Sequence, residues 1–406
     1  MKILHTADWH MQDRLGRQDR SADIYRALEQ IAEYLKEYAV DVMLVAGDIF
    51  SEHCRSEQMR SAIGEIKRIF LPFIERGGTI VAISGNHDNE IFFETLRDAL
   101  DLVAPKRRQG DDAHPTGQLH IASKPRILKL TGTDGTSVQF VLMPYPTARH
   151  YLNKDKANYK TIEDKYRSIQ QGFVQVLNEL QSRLDVHLPS VLVSHIHVRG
   201  AHIHSRHQLG EEETVVFEAG DIPTHWAYIA YGHIHQPQPA IEGAAHIRYA
   251  GSIERMDVGE SQDTKSVVLC EIGPEGLVGE PHILTLDSTP IYHVEITDPD
   301  SQLPQLAENY PDADHALVKY TLHWHPQIHN REELCRTIET LFPRWYERVF
   351  QEMGVRAGQT AIPAQQSIQD IVGTVRDYLT TSLAHDPEQE QLLTLANELL
   401  AKEVWR

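Results

Sequence analysis

Short, mostly apolar runs alternate with amphipathic stretches along the first hundred residues. Ile3-Leu4-His5-Thr6-Ala7, Val42-Met43-Leu44-Val45-Ala46 and Thr79-Ile80-Val81-Ala82-Ile83-Ser84 have strand length and almost no polar face, as buried parallel strands do. Between them, Ile24, Leu28, Ile31 and Leu35 recur at helical spacing and predict a helix over 21–38. Met59, Ile63, Ile66 and Phe70 predict a second, stopping before Gly77-Gly78. The order β-α-β-α-β is that of a right-handed parallel α/β sheet. A helix over 91–103 is apolar nearly all round (Ile91, Phe92, Phe93, Leu96, Leu100, Leu102). It reads as a core helix, or as one that buries a second face against another subunit.

Further on, 105–118 read as a loop, 126–130 and 137–143 as a hairpin, and 160–184 as a long helix. Strands follow at 191–194, 228–231, 246–252 and 266–270. The fold class expected is α/β: a two-layer β-sandwich flanked by helices, spanning 1–285. Residues 286–353 read strand, helix, strand, helix, a small α+β capping unit whose last helix runs over 331–350. Residues 354–406 read as a linker and a helical hairpin, lined by Ile368, Ile371, Val372, Val375 and Leu379, then Leu392, Leu395, Ala396, Leu399 and Leu400. A hairpin without a core of its own must dock on something.

Composition narrows the class. No apolar run reaches the roughly 20 residues of a membrane span. The amino terminus reads as a strand rather than a signal peptide. Cys54, Cys270 and Cys335 lie far apart, which fits a reducing cytosol and a cytoplasmic protein. The formal charge of −19 excludes a simple basic nucleic-acid binder. It does not exclude a nuclease, because a carboxylate site becomes positive when divalent ions fill it. Twenty-four histidines, several of them clustered, point to metal.

The polar residues at the strand ends carry the chemistry. Asp8 and His10, Asp48, Gly85-Asn86-His87-Asp88, His195, and Gly232-His233-Ile234-His235 follow five strands in turn. Ligands at these ends converge on one sheet edge. Two divalent ions need an anionic bridge between them, and Asp48 stands in the middle of the set. Imidazole, amide and carboxylate together suit manganese, iron or zinc. An imidazole beside the ions can protonate a leaving oxygen, with Asp88 available to orient His87. His202, His204 and His207 read as a solvated loop. Arg14, Arg17 and Arg20 are candidates for backbone phosphate or for ion pairs with neighbouring acids.

These motifs resemble the calcineurin-like metallophosphoesterases. Ser194-His195-Ile196-His197-Val198-Arg199-Gly200-Ala201, the stretch 228–238, and Tyr249-Ala250-Gly251-Ser252-Ile253-Glu254-Arg255 are similar to the SbcD branch, the nuclease subunits of double-strand-break repair complexes. The resemblance implies two metal ions, most often Mn2+, one held by Asp8, His10, Asp48 and His235, the other by Asp48, Asn86, His195 and His233. It implies His87 as the catalytic histidine. It also implies a double-stranded DNA exonuclease and single-stranded DNA endonuclease. The partners implied are DNA, a second copy through helices near 57–74 and 91–103, and an SbcC-like SMC-family ATPase gripped by the tail. Two positions depart from the pattern: Gln12 stands where the family usually has Gly, and Ser51 where many members have His or Asp. A phosphoesterase acting on another substrate and a catalytically silent scaffold are the competing readings.

Overall fold

The computed structural model describes residues 1–52, 54–103, 117–152, 159, 161–203, 215–353 and 392. Most of the loop expected over 105–118, His204, His207 and the tail hairpin lie outside the described residues. The strands and helices that position the site are, in chain order, β1 (Lys2–Thr6), α1 (Ser21–Glu37), β2 (Val42–Ala46), α2 (Ser56–Glu75), β3 (Thr79–Ile83), α3 (Glu90–Val103) and β4 (Leu119–Ala122). Then come β5 (Arg126–Thr131), β6 (Ser137–Met143), α4 (Ile162–Gln181), β7 (Ser190–His195), β8 (Tyr228–Gly232), β9 (Ile247–Tyr249), β10 (Ser266–Gly273) and β11 (His282–Thr285).

The first sheet runs β10-β1-β2-β3-β4, with β11 paired to β10. β1 to β4 are parallel, and β10 closes the edge antiparallel to β1. The second sheet runs β9-β8-β7-β6-β5; β6 to β9 are parallel, the β5–β6 hairpin is antiparallel, and Gln238–Pro239 adds a short antiparallel edge to β9. The strand period of two sends alternate side chains to opposite faces. Val42, Leu44 and Ala46 therefore meet Phe140, Val191 and Val193 in a core between the sheets. Met43 and Val45 face the other way, onto α1 and α2. Leu192 and Ile229 pack against Ile169, Phe173 and Leu177 of α4. The result is four layers, helix, sheet, sheet, helix, as expected. No described helix is long and apolar enough to cross a membrane, and all three cysteines are free and buried.

A smaller unit has its own core beneath a three-stranded sheet of β12 (Ile291–Ile296), β13 (Leu317–Trp324) and β14 (Trp345–Glu352), with α5 (Arg331–Leu341) against it. The last element differs from the one expected. The helix expected over 331–350 ends at Leu341, and Trp345–Glu352 is a strand. Pro343 ends the helix, and the edge of β13 offers the backbone partners that Trp-Tyr-Glu-Arg-Val-Phe then takes. The first helix expected in this unit is broken into single turns, Leu303–Gln305 and Leu306–Asn309, around Pro304. The unit is seated on the loop after β1: Gln18 Nε2 donates to Trp345 O at 2.8 Å, and Arg17 stacks on the Trp345 ring at 4.4 Å.

Candidate metal centre

Both sheets point the carboxyl ends of their parallel strands at one place. β1, β2 and β3 deliver Asp8, Asp48 and Asn86-His87 there, and β7 and β8 deliver His195, His233 and His235. The approach is close enough to require glycine. A Cβ at Gly85 would overlap the Asp48 carboxylate, and one at Gly232 would overlap Ala46 O. Asp8, His10, Asp48 and His233 hold left-handed backbone, with φ of +51°, +45°, +52° and +93°. Each such residue costs roughly 1–2 kcal/mol. Amides on neighbouring loops fix the strain: Asp8 N donates to Gly47 O and His10 N to Asp48 O, both at 3.0 Å.

The donor atoms crowd together. His10 Nε2 lies 3.1 Å from His235 Nε2. Asn86 Oδ1 lies 3.0 Å from both His195 Nε2 and His233 Nδ1. His195 Nε2 is 3.2 Å from Asp48 Oδ2. Asp48 Oδ1 also accepts the His87 amide at 2.9 Å, and Asp8 accepts the His233 amide. Seven of the eight expected residues thus face one another, and all but Asn86 are buried. His87, the eighth, stands at the rim, its Nε2 4.0 Å from Asp48 Oδ2 and its side chain 31% exposed.

This donor set fits divalent ions. His195 Nδ1 donates to Ala46 O at 2.7 Å, and His235 Nδ1 to Glu260 Oε1 at 2.8 Å. Both rings therefore present Nε2 lone pairs to the centre, where other lone pairs already lie. Only a proton or a cation reconciles acceptors at such distances. Burial works against charge on His195, but Asp48 and Asp8 outweigh it and push its pKa up to about 9. Burial and the neighbouring imidazoles hold His233 well below the ordinary range. Burial is overcome at Asp48 too, whose carboxyl His195, His10 and His87 hold far below it. Asp8, His10 and His235, and Asp8, Asp48 and His195, each place ligand atoms close enough to share one ion.

Two expectations resolve in detail. Asp88 does not orient His87: its oxygens accept Phe50 N at 3.0 Å and Gly85 N at 2.9 Å, tying the loops after β2 and β3 together. Burial, with Asp48 nearby, raises its pKa to about 7. Arg20 is fully buried between Asp23 and Glu254, out of reach of any ligand. Gln12 carries φ of +68° where glycine would be unstrained, and its amide is anchored on the Tyr25 hydroxyl. Ser51 donates to Asp13 at 3.2 Å. A cavity of about 430 Å³ opens over the cluster, lined by Gln12, Arg14, Ser51, Glu52 and His87 among others.

Sequence reasoning missed Glu260 and Lys265. Glu260 is fully buried and receives Lys265 Nζ at 2.6 Å and Met256 N at 3.1 Å besides the His235 ring. Lys265, equally buried, also donates to His235 O at 3.0 Å. The only signal for them in the sequence is their closeness to the 249–255 stretch, which itself holds no ligand.

The layers and the ligand edge define a metal-dependent phosphoester hydrolase. The chain belongs to the calcineurin-like phosphoesterase family, whose model matches residues 1–237. It is 27% identical over 292 residues to the SbcD subunit of the SbcCD nuclease of Bacillus subtilis (strain 168), covering 68% of this chain and 67% of that protein. The protein of the same name from Staphylococcus epidermidis (strain ATCC 12228 / FDA PCI 1200) is 26% identical over 289 residues, 70% of this chain and 69% of that one. A dimetal phosphatase from Danio rerio aligns with 71% of this chain and 99% of its own at 10% identity and a TM-score of 0.39.

Proposed function

We propose that the chain is the nuclease subunit of a DNA double-strand-break processing complex, cutting duplex DNA as an exonuclease and single strands as an endonuclease with Mn2+. The observation that carries this reading is the convergence of Asp8, His10, Asp48, Asn86, His195, His233 and His235 beneath an open cavity. The likeness to two SbcCD nuclease subunits supports the substrate. Residues 1–285 form the catalytic unit in this reading, 286–353 the capping, DNA-contacting unit, and 354–406 the segment that grips an SbcC-like SMC-family ATPase.

Asp8, His10, Asp48 and His235 would hold one ion, and Asp48, Asn86, His195 and His233 the other. Such a pair supplies a nucleophile near neutral pH and neutralises charge building on the phosphoryl oxygens. Asp48, common to both sets, would serve both ions. Asn86 would add a ligand without adding charge. His87, at the rim beside Asp48 and Glu52, would donate a proton to the leaving oxygen. A homodimer through α2 and α3 is part of the same reading, supported by Ile91 and Leu71, which are 67% and 38% exposed.

The test is digestion of end-labelled duplex and single-stranded DNA with Mn2+, with and without the ATPase. His87→Ala should lose about 10²- to 10⁴-fold in turnover, the range of a general acid, while still binding metal. Turnover of a cyclic nucleotide with none on DNA would overturn the nuclease reading.

A further inference from the structure

A second groove opens beside the catalytic cavity. It has a volume of about 600 Å³, and three arginines, Arg14, Arg55 and Arg60, line it, with Glu57 the only acid in its wall among the described residues. Gln12, Arg14 and Gln58 line both spaces, so the groove and the cavity are continuous. The three arginines are exposed. Arg14 donates to Arg17 O at 3.0 Å and lies 3.7 Å from Asp19, so its charge is partly engaged. Among the described residues, Arg55 and Arg60 have no ion pair in the structure.

This cluster is out of keeping with the chain. A surface with a net charge of −19 repels a polyanion over most of its area. Cations on such a surface matter most where they gather, and here they gather against the reaction site. We infer that the groove is a phosphate subsite, binding a backbone phosphate of the strand being cut, one that flanks the scissile bond. The inference rests on the nuclease reading and adds to it. The ions would hold the reacting phosphate, and the groove would hold its neighbour and fix how the strand lies. Guanidinium is suited to the task, since its forked donors match phosphate oxygens. Energy from this remote contact is expressed in kcat/KM for a long substrate and is absent for a short one.

The test compares two substrates on the full chain loaded with Mn2+: a single-stranded oligonucleotide, and bis(p-nitrophenyl) phosphate, which carries no flanking phosphate. In the double variant Arg55→Gln/Arg60→Gln, kcat/KM on the oligonucleotide should fall roughly tenfold at low salt. The slope of its logarithm against log salt should become shallower by about 2, one for each cation removed. Hydrolysis of the small ester should not change. Glu57→Gln should act oppositely, raising kcat/KM on the oligonucleotide and steepening its salt slope, which damage to the fold cannot imitate. Unchanged oligonucleotide kinetics in the double variant would overturn the groove and leave the nuclease reading intact. A parallel fall on both substrates, without a gain in Glu57→Gln, would overturn it too. A wild-type protein that hydrolyses the small ester but no DNA would sink the nuclease reading itself.

Discussion

Glu260 and Lys265 offer a sharp test of how the centre is held. Glu260 joins the His235 ring to a buried ammonium, with bonds of 2.8 Å and 2.6 Å. Burial alone would raise its pKa, but Lys265 and His235 together hold it well below the usual carboxylate range. Glu260→Gln keeps the shape and an oxygen for His235 Nδ1–H, yet removes the charge. Two losses follow. The ring is less basic and less firmly oriented, which for a residue behind a metal ligand costs about 10- to 100-fold in affinity, or about 1.4–2.7 kcal/mol. Lys265 is left buried with Asp263 at 3.4 Å and a carbonyl, and breaking a buried pair costs roughly 3–5 kcal/mol. Calorimetric titration of the metal-free protein with Mn2+ reads the first loss, and urea unfolding of the same protein reads the second. Adding Lys265→Met removes the stranded cation. The double variant should recover most of the folding stability and none of the metal affinity. If Glu260→Gln bound Mn2+ as tightly as wild type, or the double variant regained full affinity, Glu260 would serve only to neutralise Lys265. The sign with pH is fixed by the lowered carboxyl: the pair's contribution is present above the unfolded carboxylate range and is lost as acid carries the pH down through the folded pKa.

Gly85→Ala should abolish activity and metal binding while the protein still folds, since the added Cβ meets the Asp48 carboxylate; circular dichroism beside a Mn2+ titration checks it. His5 is buried neutral, accepting from the Tyr228 hydroxyl and donating to Tyr231 O. Burial, against the Tyr231 bond, lowers its pKa from 6.5 to about 3. The unfolded chain therefore takes up the proton first, and stability falls as pH drops from about 6.5 toward 3, by on the order of 5 kcal/mol if nothing relaxes. Urea midpoints against pH should show that slope in wild type and lack it in His5→Leu. At position 12, Gly should be more stable than Ala by about 1 kcal/mol, because both lose the Tyr25 bond but only Ala keeps the left-handed strain; thermal melts of the two variants decide it.

The parallel strands were legible because burial on both faces leaves a run such as Val42–Ala46 with no polar position. The candidate site was legible because each of its polar residues stands directly after such a run, and topology carries strand ends to one edge. The 331–350 error shows the limit. Arg331–Leu341 has a helical stripe of its own, but Trp345–Glu352 became a strand only because β13 left an edge beside it. Local pattern carries no information about a partner strand.

The strands, the helices between them and the polar residues at their ends could therefore be read from the chain alone. Both ingredients are local: a hydrophobic period and the residues that follow it. Folding settled which nitrogen of His195 and His235 faces the centre, since that depends on Ala46 O and Glu260, distant in sequence. It also settled that Asp88 ties two loops rather than orienting His87, and that Arg20 is buried while Arg14 joins Arg55 and Arg60. Those outcomes turn on distances of a few ångströms between segments up to hundreds of residues apart, and only packing sets such distances.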